Sequence, residues 1–202
     1  MTAQSFYHDG HRQLQDAFAS RRLADRLEAV TLHRVFTDAD RDFIESAAFF
    51  LLATADSKGQ PDCSFKGGMP GFVRVTGKDE LAFPDYDGNG MFRSLGNIRV
   101  NPSIGLLFSA MGDQPRRLRV NGTARIVRDD PQAATFTWAQ MQVRVKVRAI
   151  FPNCPRYISG RNGTSAFAPR LGVVPPEPAW KDWDAFRDVV PPRAPVAGQE
   201  MP

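Results

Sequence analysis

The sequence predicts a mainly β domain with flanking helices, in which short strands close into a barrel. Three observations carry that expectation. Runs of strand length, either wholly apolar or alternating, recur at short intervals between Phe49 and Phe151. Turn-forming clusters such as Asp56-Ser57-Lys58-Gly59 and Gly77-Lys78-Asp79 separate them. The order reads as helices, four short strands, a helix, two strands, a helix and a strand, which favours a barrel over a parallel α/β sheet.

From about Ser5 to Ala29 the apolar positions Phe6, Leu14, Ala17, Phe18, Leu23 and Leu27 recur near helical spacing. A break at Ser20-Arg21-Arg22 divides this arm into two pieces. Thr37 followed by Asp40 resembles an N-cap with an acidic first turn, so a short helix is expected from Asp38 to Ala47, with Phe43, Ile44 and Ala47 inward. Phe49 to Ala55 is a buried strand and Pro61 to Lys66 a second. Gly71 to Val75 and Glu80 to Phe83 make a hairpin. Asp87-Gly88-Asn89-Gly90 interrupts the pattern, and Met91, Leu95 and Ile98 then predict a helix from about Gly90 to Val100, ended by Asn101-Pro102.

Ser103 to Ser109 reads as another buried strand, and Arg117 to Val127 as a long strand with one apolar face. Asp129-Asp130-Pro131 has the composition of a helix start. Met141 to Phe151 places Val143, Val145 and Val147 on one face and Arg144, Lys146 and Arg148 on the other. The prolines beyond it, with Trp180 and Trp183, suggest an extended arm that packs locally through its tryptophans and is otherwise loose. The expected organisation is a helical arm over 1–36, a barrel domain over 37–170 and a proline-rich tail over 171–202.

The formal charge of +4 is mild and the basic residues are dispersed, so an anionic small molecule fits as well as nucleic acid. Nucleic-acid binding through the basic face of Met141 to Phe151 is the weaker expectation. No stretch approaches the roughly 18 apolar residues of a membrane helix. Met1 to Asp9 lacks a basic start followed by an apolar run, so cytoplasmic location is expected. Cys63 and Cys154 fit no metal spacing and read as small, partly buried thiols. His8, His11 and His33 have no surrounding ligand cluster, so no metal is expected.

No self-contained catalytic motif is present: neither GxSxG, nor a P-loop, nor HExxH, nor a strand-to-helix GxGxxG. Three segments carry anion-binding chemistry. Ser64-Phe65-Lys66-Gly67-Gly68 combines a hydroxyl, an ammonium and glycines that permit close backbone approach, though it also reads as an exposed strand end. Phe83-Pro84-Asp85-Tyr86-Asp87-Gly88-Asn89 leads into the helix with Arg93, Ser94 and Asn97. There, free N–H groups and a guanidinium suit a phosphate, while a capped surface helix is the plainer reading. Arg116-Arg117-Leu118-Arg119 is a solvated strand face or a cationic contact for an electron-rich ring.

In this order the segments resemble the pyridoxamine 5′-phosphate oxidase-like family of FMN-binding split barrels. The resemblance runs through Leu51-Leu52-Ala53-Thr54-Ala55, Gly59-Gln60-Pro61-Asp62, Cys63-Ser64-Phe65-Lys66-Gly67-Gly68 and Leu81-Ala82-Phe83-Pro84-Asp85. It continues through Gly88-Asn89, Arg93-Ser94-Leu95, Asn97-Ile98, Asn101-Pro102, Gly105-Leu106-Leu107-Phe108 and Arg119-Val120-Asn121-Gly122-Thr123-Ala124, and is weaker past Val127.

It implies a split β-barrel, a homodimer with FMN at its interface, and a small-molecule substrate. Ser64 and Lys66, with the backbone of Phe65 and Gly67, would touch the flavin ring edge and ribityl chain, and Pro84 and Asp85 would line them. Asn89, Arg93 and Ser94 would bind the phosphate, with Asn97 one turn on. Arg117 and Arg119 would reach the flavin from the second subunit. The family's oxidases often carry a basic pair where this chain has Arg93-Ser94. Their C-terminal basic and histidine residues have no counterpart around Phe151 to Ile158, so vitamin metabolism is not the expected role.

Cys154 and Tyr157 are candidates to line the substrate face; alternatively Cys154-Pro155 starts a short packed helix. The expected activity is an FMN-dependent oxidoreductase passing hydride or electrons between a small donor and acceptor. In it, Lys66 or Arg117 would stabilise negative charge at the pyrimidine end of the ring. The alternatives are a non-catalytic flavin-binding module, or the same fold holding a deazaflavin or haem. Haem would need an axial ligand, and no histidine falls in the expected core.

Overall fold

The computed structural model describes residues 6–111, 115–128, 136–158, 163–170 and 173–192. Two compact units are present, His33–Ala168 and the combination of Met1–Leu32 with Pro169–Pro202.

The larger unit is a split β-barrel, built from one seven-stranded antiparallel sheet. Its strands are β1 (Phe49–Ala55), β2 (Pro61–Gly67), β3 (Arg74–Gly77), β4 (Glu80–Asp85), β5 (Ser103–Ala110), β6 (Arg116–Val127) and β7 (Met141–Asn153), in the order β2-β1-β5-β6-β7-β4-β3. Inward residues alternate along β1, β5 and β6 and meet at the centre: Phe50, Leu52, Leu106, Phe108, Leu118 and Val120 are each almost fully buried. Phe50 packs on Phe83 and Phe108 with ring centroids 5.0 and 5.2 Å apart, so β1, β4 and β5 share one aromatic core. β6 and β7 pair along nearly their whole length, from Arg117 opposite Asn153 to Val127 opposite Gln142. Their register shifts at Asn121/Gly122. A bulge there needs glycine, because a Cβ on Gly122 would lie 2.4 Å from the Lys146 carbonyl oxygen.

Among the described residues this unit has two α-helices, α3 (Asp38–Glu45) and α4 (Arg93–Val100). The Thr37 hydroxyl accepts the Asp40 N–H at 3.1 Å, and the Asp40 carboxylate accepts the Thr37 N–H at 3.0 Å, which closes a capping box. Asp40 also takes a 2.7 Å hydrogen bond from the His33 ring, and is buried. Burial pushes the Asp40 carboxyl up, but the Thr37 and His33 donors outweigh it and hold it below the ordinary carboxylate value. Ile44 is fully buried, with Phe43 and Ala47 packed beside it. α4 lies against β1, β2 and β6, fastened where the Asn97 amide donates to the Thr54 hydroxyl at 3.0 Å.

The smaller unit holds α1 (Asp9–Ala17) and α2 (Arg21–Thr31), joined through Ala19 with a positive φ of 51°. Arg12 pairs with Asp25 at 2.6 Å between them. A short 3-10 helix, Ala179–Asp182, sets Trp180 edge-on to Phe186, while Trp183 stays exposed. Arg26 joins α2 to the C-terminal segment through Asp188 at 3.1 Å.

Several elements differ from expectation. β3 begins at Arg74, because Gly71 takes a φ of +89° and donates to the Glu45 carbonyl, which bends the chain away from the sheet. α3 ends at Glu45. α4 begins at Arg93, three residues later than the apolar spacing implies. Cys63 is exposed, on the outward face of β2, and Cys154 is half-buried just before a turn at Arg156-Tyr157, with no helix following it among the described residues. The helix expected after Asp129-Asp130-Pro131 lies outside the described residues. Among the described residues no helix is long and apolar enough to cross a membrane.

Candidate functional site

β2 is an edge strand whose side chains alternate, so Asp62, Ser64 and Lys66 share one half-buried face and Cys63 and Phe65 point outward. That face looks onto the segment leaving β4. Between them lies a groove of about 390 Å³, lined by Asp62, Ser64, Phe65 and Lys66 and by the continuous run from Asp85 to Leu95. Its size falls in the range of small-ligand sites, roughly 300–1,000 Å³.

Local geometry fixes the wall of the groove. The Asn89 side chain accepts the Met91 N–H at 3.0 Å, a turn that delays the helix. Phe92 then adopts a left-handed backbone, φ 49°, and caps α4 without a side-chain hydrogen bond. The amides at the start of α4 therefore have no intrahelical partner and no capping side chain, and the positive end of the helix dipole opens on the groove. Ser94 sits in this turn, with its Oγ 2.9 Å from Ser64 Oγ. Arg93 projects beside it, its Nε 3.4 Å from an Asp62 carboxylate oxygen. Gln140, just ahead of β7, braces the far side. Its N–H donates to the Asp85 carbonyl at 2.8 Å and its side-chain amide to the Asp87 carboxylate at 2.9 Å.

The charges are mixed: Lys66 and Arg93 face Asp62, Asp85 and Asp87. Asp85 is the unusual member. It is 9 % exposed, and its Oδ2 is buried with no hydrogen-bond partner among the described residues. Burial pushes its carboxyl above the ordinary carboxylate value, and the Lys66 ammonium opposes that only in part.

Of the residues expected to bind a cofactor, Ser64, Phe65, Lys66, Asp85, Asn89, Arg93 and Ser94 line this groove. Gly67, Pro84 and Asn97 lie next to it in the chain but outside its lining. Pro84 is buried opposite Gln142, and Asn97 is engaged with Thr54. Arg117 and Arg119 are elsewhere on this chain. Arg117 donates to the Cys154 carbonyl, and Arg119 stands 6.0 Å from the Phe151 ring centroid. Sequence reasoning missed Asp62, whose two-residue spacing from Ser64 and Lys66 was the available signal. It also missed Phe92, whose left-handed backbone leaves none.

A larger cleft of about 690 Å³ flanks α4, with Ile98, Ala124, Ile126 and Met141 in its lining and Arg99, Arg125 and Arg128 around them. None of its lining residues carries a hydroxyl or carboxyl group, so the smaller groove is the better-equipped polar site.

Residues 36–166 match the family model of pyridoxamine 5′-phosphate oxidase. The chain belongs to this family. Within the pyridoxamine 5′-phosphate oxidase match lie the whole seven-stranded sheet, α3, α4 and the groove. Comparison with curated proteins gives no match. Among solved structures, HupZ from Group A Streptococcus is 22 % identical, with 58 % of this chain and 93 % of that one covered at a TM-score of 0.48. The heme storage protein HutZ from Vibrio cholerae is 18 % identical, covering 55 % and 89 % at 0.43. An FMN-binding protein from Syntrophomonas wolfei is 10 % identical, covering 72 % and 96 % at 0.46.

Proposed function

We propose that this member of the pyridoxamine 5′-phosphate oxidase family binds FMN in the groove between β2 and α4 and works as an oxidoreductase on a small molecule. One observation carries the reading: Ser64, Lys66, Arg93, Ser94 and the uncapped amides of α4 converge on one groove. Two cations, two hydroxyls and a helix N-terminus form a donor set suited to a phosphate ester. Asp85, whose Oδ2 is buried without a partner among the described residues, adds a further polar group to the lining. The residues fit the group.

In this reading Arg93, Ser94 and the α4 amides hold the phosphate, while Ser64 and Lys66 lie along the ring and ribityl chain. Bound FMN supplies a ring that accepts and returns a hydride or electrons. The protein's part is binding, orientation and charge. Lys66 stabilises negative charge on the ring through simple Coulomb attraction. Arg93 exchanges its long contact to Asp62 for the phosphate.

The active form in this reading is a homodimer. Phe65, Met91 and Phe92 stand 65 %, 63 % and 49 % exposed around the groove, an apolar rim that a second copy would cover. Arg117 and Arg119, away from the groove of their own chain, would then serve the partner's.

The test is an absorbance spectrum of the purified protein, mass measurement of any released cofactor, and sedimentation at micromolar concentration. FMN retained by a dimer supports the reading. Protein that keeps no visible flavin absorbance after incubation with FMN and desalting overturns it, as does retention of haem or a deazaflavin instead. FMN bound without any NAD(P)H oxidation across common acceptors reduces the function to flavin binding.

A further inference from the structure

We propose that Asp85 is a proton-coupled binding residue: it takes up one proton when the groove's ligand binds, and the new O–H donates to a carbonyl-type acceptor on the ligand's ring. The inference rests on the FMN reading above and adds to it a residue that sets which ligand edge is recognised.

The argument starts from position. Asp85 closes β4 two residues after Phe83, on the same side of the strand, so its carboxyl follows a core phenylalanine into the end of the barrel. It lines the groove, is nine-tenths buried, and leaves Oδ2 with no partner. A buried acceptor without a donor is costly, whereas a protonated carboxyl in the same place becomes a donor able to meet a ligand acceptor.

The surrounding charges decide which state a ligand selects. From β2, Lys66 favours the carboxylate and Asp62 disfavours it. Beyond β4, Asp87 disfavours it, and Tyr86 adds a phenol. From α4, Arg93 favours it. From β7 the residue opposite is Met141, which is neutral. An incoming phosphate engages Arg93 and adds two negative charges to the groove, so the balance moves towards the neutral acid. Burial already pushes the carboxyl in that direction.

Linkage gives the sign. If binding takes up a proton at Asp85, affinity is constant while Asp85 is already protonated in the free protein. It then falls as pH rises above that range, by up to about tenfold per pH unit. Asparagine at this position is neutral and can donate permanently, so it mimics the bound state.

The experiment is calorimetric titration of full-length wild type, Asp85→Asn and Asp85→Ser with FMN at several values between about pH 5 and pH 8, each in two buffers of different ionisation heat. The phosphate's own proton equilibrium is common to all three proteins and cancels in the difference. Wild type should take up close to one proton more than either variant, and its affinity should fall with pH relative to theirs. Equal proton uptake and parallel pH profiles in three proteins that all bind FMN would overturn the assignment and leave the FMN reading standing. No FMN binding by wild type would remove both.

Discussion

Ser64 Oγ and Ser94 Oγ lie 2.9 Å apart, joining the edge strand β2 to the first turn of α4. One hydroxyl donates to the other, so the pair keeps one O–H donor and several acceptor lone pairs to spare, and Arg93 stands beside them. Arg93→Gln should weaken FMN binding by about tenfold to a hundredfold, the loss of one charge-assisted contact of roughly 1.5–3 kcal/mol. Ser94→Ala should cost less. Quenching of flavin fluorescence on titration measures both. Unchanged affinity in the Arg93 variant would move the cofactor out of this groove.

Asp85 has a consequence for stability without any ligand. Its folded pKa is raised, so between the ordinary carboxyl value of 3.8 and the folded value the native chain holds a proton that the unfolded chain has lost. Stability therefore falls as pH rises through that window. Asp85→Asn removes the term. Urea denaturation should find the variant more stable than wild type at pH 7, with the gap narrowing towards pH 4 and closing below it.

Asp40 behaves in the opposite sense. Its folded value is depressed, so its contribution is complete above the ordinary carboxyl range and is lost as pH falls through the folded value. Asp40→Ala removes the capping box and the His33 contact together, at a cost of about 1–3 kcal/mol near neutral pH. The same denaturation series should show wild type and variant converging in acid.

Two glycines should respond in opposite directions to alanine. Gly122→Ala drives a methyl into the Lys146 carbonyl and should destabilise by about 1–3 kcal/mol or more. Gly96 lies inside α4 with nothing within 4 Å of a new Cβ, so Gly96→Ala should stabilise by about 0.5–1 kcal/mol. Thermal melting of the pair checks both signs.

Much of the barrel was legible because its strands are apolar runs of strand length or alternate with a period of two. Met141 to Phe151 alternates in sequence and Phe49 to Ala55 is a nearly continuous apolar run of strand length, and the structure forms β7 and β1 there. The polar face of β2 was half-visible: Ser64 and Lys66 stood out as anion-binding types, while Asp62 on the same face was passed over. The start of α4 was not legible, because apolar spacing at Met91 competes with the Asn89 turn and with a left-handed Phe92, and both win locally. Nor was the buried state of Asp85, since it depends on β7 pairing alongside and on β2 approaching from a distant part of the chain. The arginines at 117 and 119 look alike in sequence, yet one is tied to a backbone carbonyl and the other stands near an aromatic ring.

β2 is the first strand of the sheet and β4 the sixth, yet residues at their ends face each other across one groove. Such a meeting exists only while the sheet stays curled. A molecule seated there acts as a clasp on the curl, and uncurling must expel it first. Protection of strand amides from solvent exchange then rises with the logarithm of ligand concentration, so occupancy becomes readable far from the groove itself.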